Sequence, residues 1–158
     1  MIERKNAYFE TIRQIGHEHE EKRVKRQERK KQIIATYGWE SEELAAWYEE
    51  DSKVTYPIPQ GVCKAYRAWM GSISRQEDEV EMEDFLWPGD VQDFVEAFKA
   101  AGIKTFVYTN QSTAVMENLH QLVAAGCRME GLCTITRQEN RWGDEEPVEV
   151  QGIRFFVG

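Results

Sequence analysis

Between Glu79 and Val157 the apolar period alternates between two and 3.6. That alternation restricts this half of the chain to layered helices and strands. Val80, Met82 and Leu86 share one strand parity while Glu79, Glu81 and Glu83 hold the other, which predicts a half-buried strand with an acidic outer face. Pro88 suits the first position of a helix, where a missing N–H costs nothing. Val91, Phe94, Val95 and Phe98 form the inward stripe of that helix, and Gly102 ends it. Ile103 to Thr109 is a short apolar and β-branched run, as in a central strand. Ser112 or Asn110 caps the next helix, with Val115, Leu119, Leu122 and Val123 inward and Gly126 at its end. Leu132 to Arg137 and Val148 to Val157 read as the last two strands, joined by Gln138–Pro147 as a long acidic hairpin loop. The order β-α-β-α-β-β makes the first three strands parallel if they are neighbours, with the last returning antiparallel. The expected fold class is α/β, with α+β as the alternative: a mostly parallel sheet that ends in an antiparallel hairpin.

The first half reads as helices. Tyr8, Ile12 and Ile15 fall on one helical stripe, and from Gly16 to Gln32 Val24 is the sole aliphatic residue. Glu18 with Lys22 and Glu21 with Lys25 sit four apart with the acid first, so one long helix over 2–37 is predicted, ending at Gly38. Ser41 is an N-cap before Glu42 and Glu43, and Leu44, Trp47 and Tyr48 give a short helix to about Asp51. Tyr56-Pro57-Ile58-Pro59 is an extended connector. Val62, Tyr66, Trp69, Met70 and Ile73 define a third helix over 60–74.

Charge is segregated along the chain. Residues 1–32 carry a net +4 and residues 33–158 a net −12. The expected division is a basic helical arm, 1–38, on an acidic α/β domain, 39–158, with 39–158 able to fold alone. Apolar residues make up 41% of the 158, enough for a core, while no stretch reaches the ~20 apolar residues that cross a bilayer. The N-terminus lacks the apolar run of a secretory signal, so the cytoplasm is the expected location. Cys63, Cys127 and Cys133 are odd in number and form no C-x-x-C pair, which speaks against a disulfide framework and a zinc ribbon.

The segments Phe106-Val107-Tyr108-Thr109-Asn110-Gln111-Ser112-Thr113, Met116-Glu117-Asn118-Leu119, Ala125-Gly126-Cys127, Gly131-Leu132-Cys133-Thr134-Ile135-Thr136-Arg137 and Asn140-Arg141-Trp142-Gly143 carry a resemblance. Over roughly residues 54–158 the chain resembles a family of small uncharacterised proteins carried on bacterial integrative and conjugative elements. The resemblance implies a mobile-element setting and no particular chemistry.

Thr109-Asn110-Gln111-Ser112-Thr113 lies at a strand end that opens a helix, where anions and ligands bind in open α/β sheets. Helix capping alone also explains those residue types, and the glycines of a phosphate loop are missing. Glu117-x-x-His120 has the spacing of a di-iron ligand pair but lacks a second pair, so it reads as surface. His17-Glu18-His19 reads as a solvated helix face, and Cys127 and Cys133 read as inert thiols. No cofactor or metal is expected. Lys22, Arg23, Lys25, Arg26, Arg29, Lys30 and Lys31 form a basic run that suits a solvated face, a nucleic-acid backbone, or an acidic protein surface, including the chain's own. Arg141 and Trp142 are contact-anchor residue types on a loop.

The expected function is that of a non-enzymatic accessory or regulatory protein acting through macromolecular contacts. One version is an acidic inhibitor whose residues 77–84 and 144–149 imitate nucleic acid toward a host defence protein. The alternative is a nucleotide- or nucleic-acid-binding module using Thr109–Thr113, with hydrolytic activity an open part of that reading. A protein is the expected partner, with nucleic acid through the basic arm, or self-association through the N-terminal helix, as further routes. No membrane partner is expected.

Overall fold

The computed structural model describes residues 2–158. Its elements are α1 (Ala7–Tyr37), α2 (Glu42–Ser52), α3 (Gln60–Ser74), β1 (Val80–Met82), a 3-10 turn (Pro88–Asp90), α4 (Val91–Ala100), β2 (Thr105–Tyr108), α5 (Val115–Ala124), β3 (Arg128–Arg141) and β4 (Asp144–Phe156). The fold is α/β. No helix among the described residues is long and apolar enough to cross a membrane. The chain forms two compact units: the residues up to Glu10 together with Pro59–Gly158, and Thr11–Ile58. That grouping differs from a division at residue 38.

The first unit holds a four-stranded sheet in the order β1-β2-β4-β3. β1 and β2 are parallel, and β4 is antiparallel to both of its neighbours. Three strands therefore share a direction, as expected, but β4 is inserted between β2 and β3. The hairpin takes its place in the sheet through its second strand.

Val80, Met82, Phe106, Tyr108 and Phe155 alternate onto the face that meets the helices, and all are buried. Phe94 and Phe98 of α4 set their rings 5.6 and 5.4 Å from that of Phe106, which stacks on Phe155 at 5.4 Å. Where α3 starts against the 3-10 turn, a Cβ on Gly61 would come 2.2 Å from the Asp90 carbonyl oxygen, so the approach requires glycine.

Phe9 is fully buried in the same unit, stacked on Trp69 at 5.0 Å and edge-on to Tyr66 at 5.8 Å. Asn6 accepts the Phe9 N–H at its own Oδ1 and donates to the Ala101 carbonyl at 2.8 Å. The helix thus begins at Ala7 rather than at residue 2, because Asn6 supplies its cap. Removing residues 1–38 strips this ring from the core. Phe9→Ala should lower the unfolding free energy by about 3–5 kcal/mol, the usual cost of deleting a buried phenylalanine. Urea unfolding of the variant checks this, and an unshifted midpoint would restore a division at residue 38.

The second unit is a helical hairpin. Ser41 caps α2 by accepting the Leu44 N–H. Trp47 is buried and its Nε1–H donates to the Arg26 carbonyl at 3.0 Å. Arg26 pairs with Asp51 at 3.1 Å, and Lys30 lies over the rings of Trp47 and Tyr48. Part of the basic run therefore packs on the chain's own acidic helix. Thr11–Ile58 contains nine Lys/Arg and ten Asp/Glu, so the unit as a whole is not basic.

Three further expectations are corrected. Gln138–Pro147 is not a loop: β3 and β4 continue through it to a two-residue turn at Trp142-Gly143, with φ of 55° and 90°. Both turn residues are left-handed, the geometry of a tight hairpin whose twist matches its strands. Pro147 is accommodated because it faces Gln138, whose N–H is directed away to the Arg75 carbonyl, so the ladder needs no proline N–H there. Neither Ser112 nor Asn110 is the N-cap of α5. That position is Ala114, and the Ser112 hydroxyl accepts the Ala114 N–H at 3.3 Å. The inward face of α5 is centred on Asn118 and Leu122 while Val123 is half exposed, because Asn118 clamps a backbone segment described below.

Candidate functional site

The sheet face turned away from the helices carries Glu79, Glu81, Val107, Thr109 and Arg154 by strict alternation. The β3–β4 ribbon bends back across it. A Cβ on Gly152 would lie 2.6 Å from Val107 Cγ1 and 2.8 Å from Thr109 Cγ2, so only glycine lets β4 pass this close. Beyond that bend Arg137 reaches Glu81, and the Gln138 N–H donates to the Arg75 carbonyl at 3.0 Å.

The acidic parity of β1 is interior at Glu81, half-buried at Glu79 and exposed only at Glu83, which corrects the expectation of an outer face. Glu81 is 0% exposed and Glu77 is 2% exposed. Glu81 Oε1 accepts the Thr109 hydroxyl at 2.6 Å and Arg137 Nη1 at 2.6 Å, while Arg75 Nη2 donates to Oε2 at 3.4 Å. Arg75 Nε donates to Glu77 Oε1 at 2.6 Å. Glu83 adds contacts to Arg137 at 3.1 Å and Arg75 at 3.5 Å. Arg154 pairs with Glu79 and, at 3.5 Å, with Glu130. Alternating charges thus fasten the ribbon to the sheet.

Burial, reinforced by the Glu81 carboxylate beside it, raises the Glu77 carboxyl to about 8 against the pull of Arg75. Burial also raises Glu81, but hydrogen bonds from Glu77 and Thr109 and the charges of Arg137 and Arg75 outweigh it and hold Glu81 below its ordinary value. At neutral pH the pair shares one proton, carried by Glu77. That proton explains Glu77 Oε2, a buried oxygen with no partner as a bare carboxylate. As a hydroxyl it donates to Glu81.

The linkage has a definite sign. Between the ordinary carboxyl value of 4.5 and about 8 the folded chain holds a proton on Glu77 that the unfolded chain has lost. Stability from this group is complete below that window and declines as pH rises through it. Glu81, held low, contributes no slope there. Glu77→Gln keeps a neutral hydrogen-bonding group, so its melting temperature should fall less than that of the wild type between pH 5 and pH 8. Thermal melts across that range check this, and parallel curves for the two proteins would show Glu77 ionised in the fold.

A 380 Å³ cleft borders the network, lined by Lys64, Arg67, Arg75, Glu81, Glu83 and Asp84 among others. Its charges are largely engaged: Lys64 Nζ donates to the Phe85 carbonyl at 2.5 Å and lies 3.7 Å from Asp84. The carboxyl pair is sealed beneath two guanidinium groups, so its evident role is to hold the ribbon.

The Thr109–Thr113 turn is drawn into the same scaffold. Thr109 is used by Glu81. Asn110 donates to the Glu83 carbonyl at 2.8 Å and accepts the Ser112 N–H and hydroxyl at 3.0 and 2.6 Å. Gln111 and Thr113 are exposed. Behind the turn, Asn118 bonds both backbone groups of Leu86 and accepts the Tyr108 hydroxyl at 2.9 Å. Burial pushes Tyr108 up to about 12, so that hydroxyl remains a donor.

Glu117 and His120 are exposed, and no His, Cys, Asp or Glu cluster among the described residues has the arrangement of a metal site. Burial lifts the Cys127 thiol to about 11 and also raises Cys133. Lys22, Arg23, Lys25, Arg29 and Lys31 stay exposed on α1, away from Arg26 and Lys30, which are half-buried. Arg141 reaches Glu139 at 3.3 Å at the hairpin tip, and Trp142 beside it is fully exposed. The network residues Arg75, Glu77, Glu81 and Arg137 carried no recognisable motif. Their signal was the presence of Arg137 and Arg154 within strands opposite the Glu79–Glu83 parity.

No curated protein and no solved structure matches the chain. Residues 64–157 match a family described as a domain of unknown function, DUF7698, and this span takes in α3 from Lys64 onward, the whole sheet and the ion-pair network. The chain belongs to that DUF7698 family.

Proposed function

We propose that this is a non-enzymatic accessory or regulatory protein that acts by macromolecular contact, with the β3–β4 hairpin tip as its contact point. The observation that carries the reading is Trp142: a fully exposed indole in a left-handed backbone position, φ 55°, of a two-residue turn. Asparagine or glycine would take that position without strain, whereas an ordinary L-residue there costs roughly 1–2 kcal/mol. A bulky apolar side chain, held under strain and without cover, is better explained by contact than by folding. Trp and Arg dominate binding hot spots, and Arg141 adjoins it.

Asp144, Glu145, Glu146 and Glu149 follow the turn and are exposed. The complementary partner is a protein with an apolar pocket inside a basic rim. In the mobile-element setting that the resemblance implies, a host protein with a nucleic-acid channel fits that description. Residues 144–149 then supply the mimicry alone, because Glu77, Glu79, Glu81 and Glu83 are engaged by Arg75, Arg137 and Arg154.

Cross-linked capture from bacterial host cells tests the proposal. Wild-type protein should enrich a partner that survives nuclease treatment. Trp142→Ala should reduce that capture at least tenfold, since hot-spot truncations cost about 2 kcal/mol or more. Equal capture by both proteins, or a complex that nuclease dissolves, would remove the tip from the function.

A further inference from the structure

We propose that the cleft between α3 and the end of β1 binds a small zwitterion, a free α-amino acid, with its carboxylate on Lys64 and Arg67 and its ammonium on Asp84. The cleft has a volume of 380 Å³ and lies wholly within the first unit. Small-molecule sites occupy roughly 300–1,000 Å³. The cleft opens beyond the carboxyl end of β1, where ligands of open α/β sheets bind. β1 ends at Met82 and runs parallel to β2, and Glu83 and Asp84 continue from it into the lining.

Two cations of this cleft are incompletely paired. Lys64 is 6% exposed, and a lysine this deep ordinarily has a carboxylate within hydrogen-bond distance. Its Nζ donates to the Phe85 carbonyl and lies 4.4 Å from the centre of the Phe85 ring. Asp84 stands 3.7 Å away, beyond hydrogen-bond distance. An ammonium has three N–H groups, and the Phe85 carbonyl takes one of them. Arg67 follows Lys64 by three residues on α3, so the two side chains share a face. The Arg67 Nε donates to the Cys63 carbonyl at 3.4 Å, and the guanidinium meets no carboxylate among the described residues. Asp84 has matching capacity: Oδ1 accepts the Phe85 N–H at 2.9 Å, while Oδ2 is the atom that faces Lys64 across the gap.

These open groups select the ligand. Arg75, Glu81 and Glu83 satisfy one another, which leaves Lys64, Arg67 and Asp84 to meet a bound molecule. A carboxylate presents two oxygens to the two cations, and the planar fork of Arg67 matches its geometry. An ammonium on the same molecule supplies the donor that Asp84 Oδ2 lacks. A phosphate dianion would instead face Asp84 and Glu83, and a simple amine would face Lys64 and Arg67, so either meets like charge. The 3.7 Å between Nζ and Oδ2 sets the spacing. An α-amino acid carries both charges on one carbon and bridges so short a gap, whereas a longer chain between the charges would not. Ala68 and Met82, both buried, supply the apolar lining against which an aliphatic side chain rests.

Calorimetric titration of the full chain with each of the common L-amino acids, up to about 10 mM, tests the proposal and reaches millimolar affinities. At least one amino acid with an aliphatic side chain should bind one to one. Its amide, which lacks the carboxylate, and its N-acetyl form, which lacks the ammonium, should each bind at least tenfold more weakly. Arg67→Ala should weaken binding at least tenfold and Arg67→Lys by less, since lysine keeps the charge without the fork. Arg67 is exposed, so the melting temperatures of both variants should match the wild type. Trp142→Ala should leave the affinity unchanged, which separates this site from the hairpin tip. Failure of every amino acid to bind overturns the proposal. So does an N-acetyl form that binds as well as the free amino acid, which would make the cleft a plain anion site, and so does binding that Arg67→Ala leaves intact.

Discussion

Replacing Glu81 by alanine should lower the unfolding free energy by about 3–5 kcal/mol, the cost of removing one member of a buried ion pair. The residue is the hub of the network, with Thr109, Arg137 and Arg75 all donating to it. Without it, two guanidinium groups lose their deepest acceptor and the Thr109 hydroxyl loses its own. Glu77 would also lose the carboxylate that takes its proton, leaving a further buried donor unsatisfied. Against a total stability of about 5–15 kcal/mol, that is a large share. Urea unfolding followed by circular dichroism gives the value, and a double-mutant cycle with Arg137→Ala isolates the direct pair. A loss under about 1 kcal/mol would mean that the ribbon is held by packing alone and that the charges contribute only specificity.

The network also shows where the sequence ceased to be legible. Alternating Glu79, Glu81 and Glu83 is the ordinary pattern of a solvated strand face, and parity alone cannot distinguish water from an opposing layer of arginines. The decisive partners lie 56 and 75 residues away, in strands whose position depends on the bend at Gly152. The turn was more accessible. Trp142-Gly143 has glycine at the second of two turn positions, a known hairpin signal. It was obscured by the acids around it and by Pro147, which together look like a loop. Asn118 lies outside the apolar stripe of Val115, Leu119, Leu122 and Val123, yet it is buried because it satisfies Leu86 and Tyr108. In the first helix the stripe of Tyr8, Ile12 and Ile15 was visible, yet the fully buried residue is the neighbouring Phe9. Its surroundings, Tyr66 and Trp69, come from a helix more than fifty residues on.

Where local period and tertiary role agree, the sequence was sufficient, and Phe106 is the case to test. It lies in the apolar run that predicted a central strand, and it is 0% exposed in β2. Its ring stacks on Phe155 with planes 11° apart and meets Phe94 at 82°, so one side chain joins two strands to α4. Phe106→Ala should cost about 3–5 kcal/mol from lost transfer energy and the cavity left behind. Each broken aromatic pair adds about 0.5–1.5 kcal/mol to the upper end of that range. Glu117→Ala is the matched control: its side chain is exposed and accepts from Gln121 one turn on, so a change within about 0.5 kcal/mol is expected. Urea midpoints of the two variants should separate widely, with unchanged slopes. Coincident midpoints would mean that α4 does not rest on this strand, and the helix-facing parity of the whole sheet would have to be reassigned.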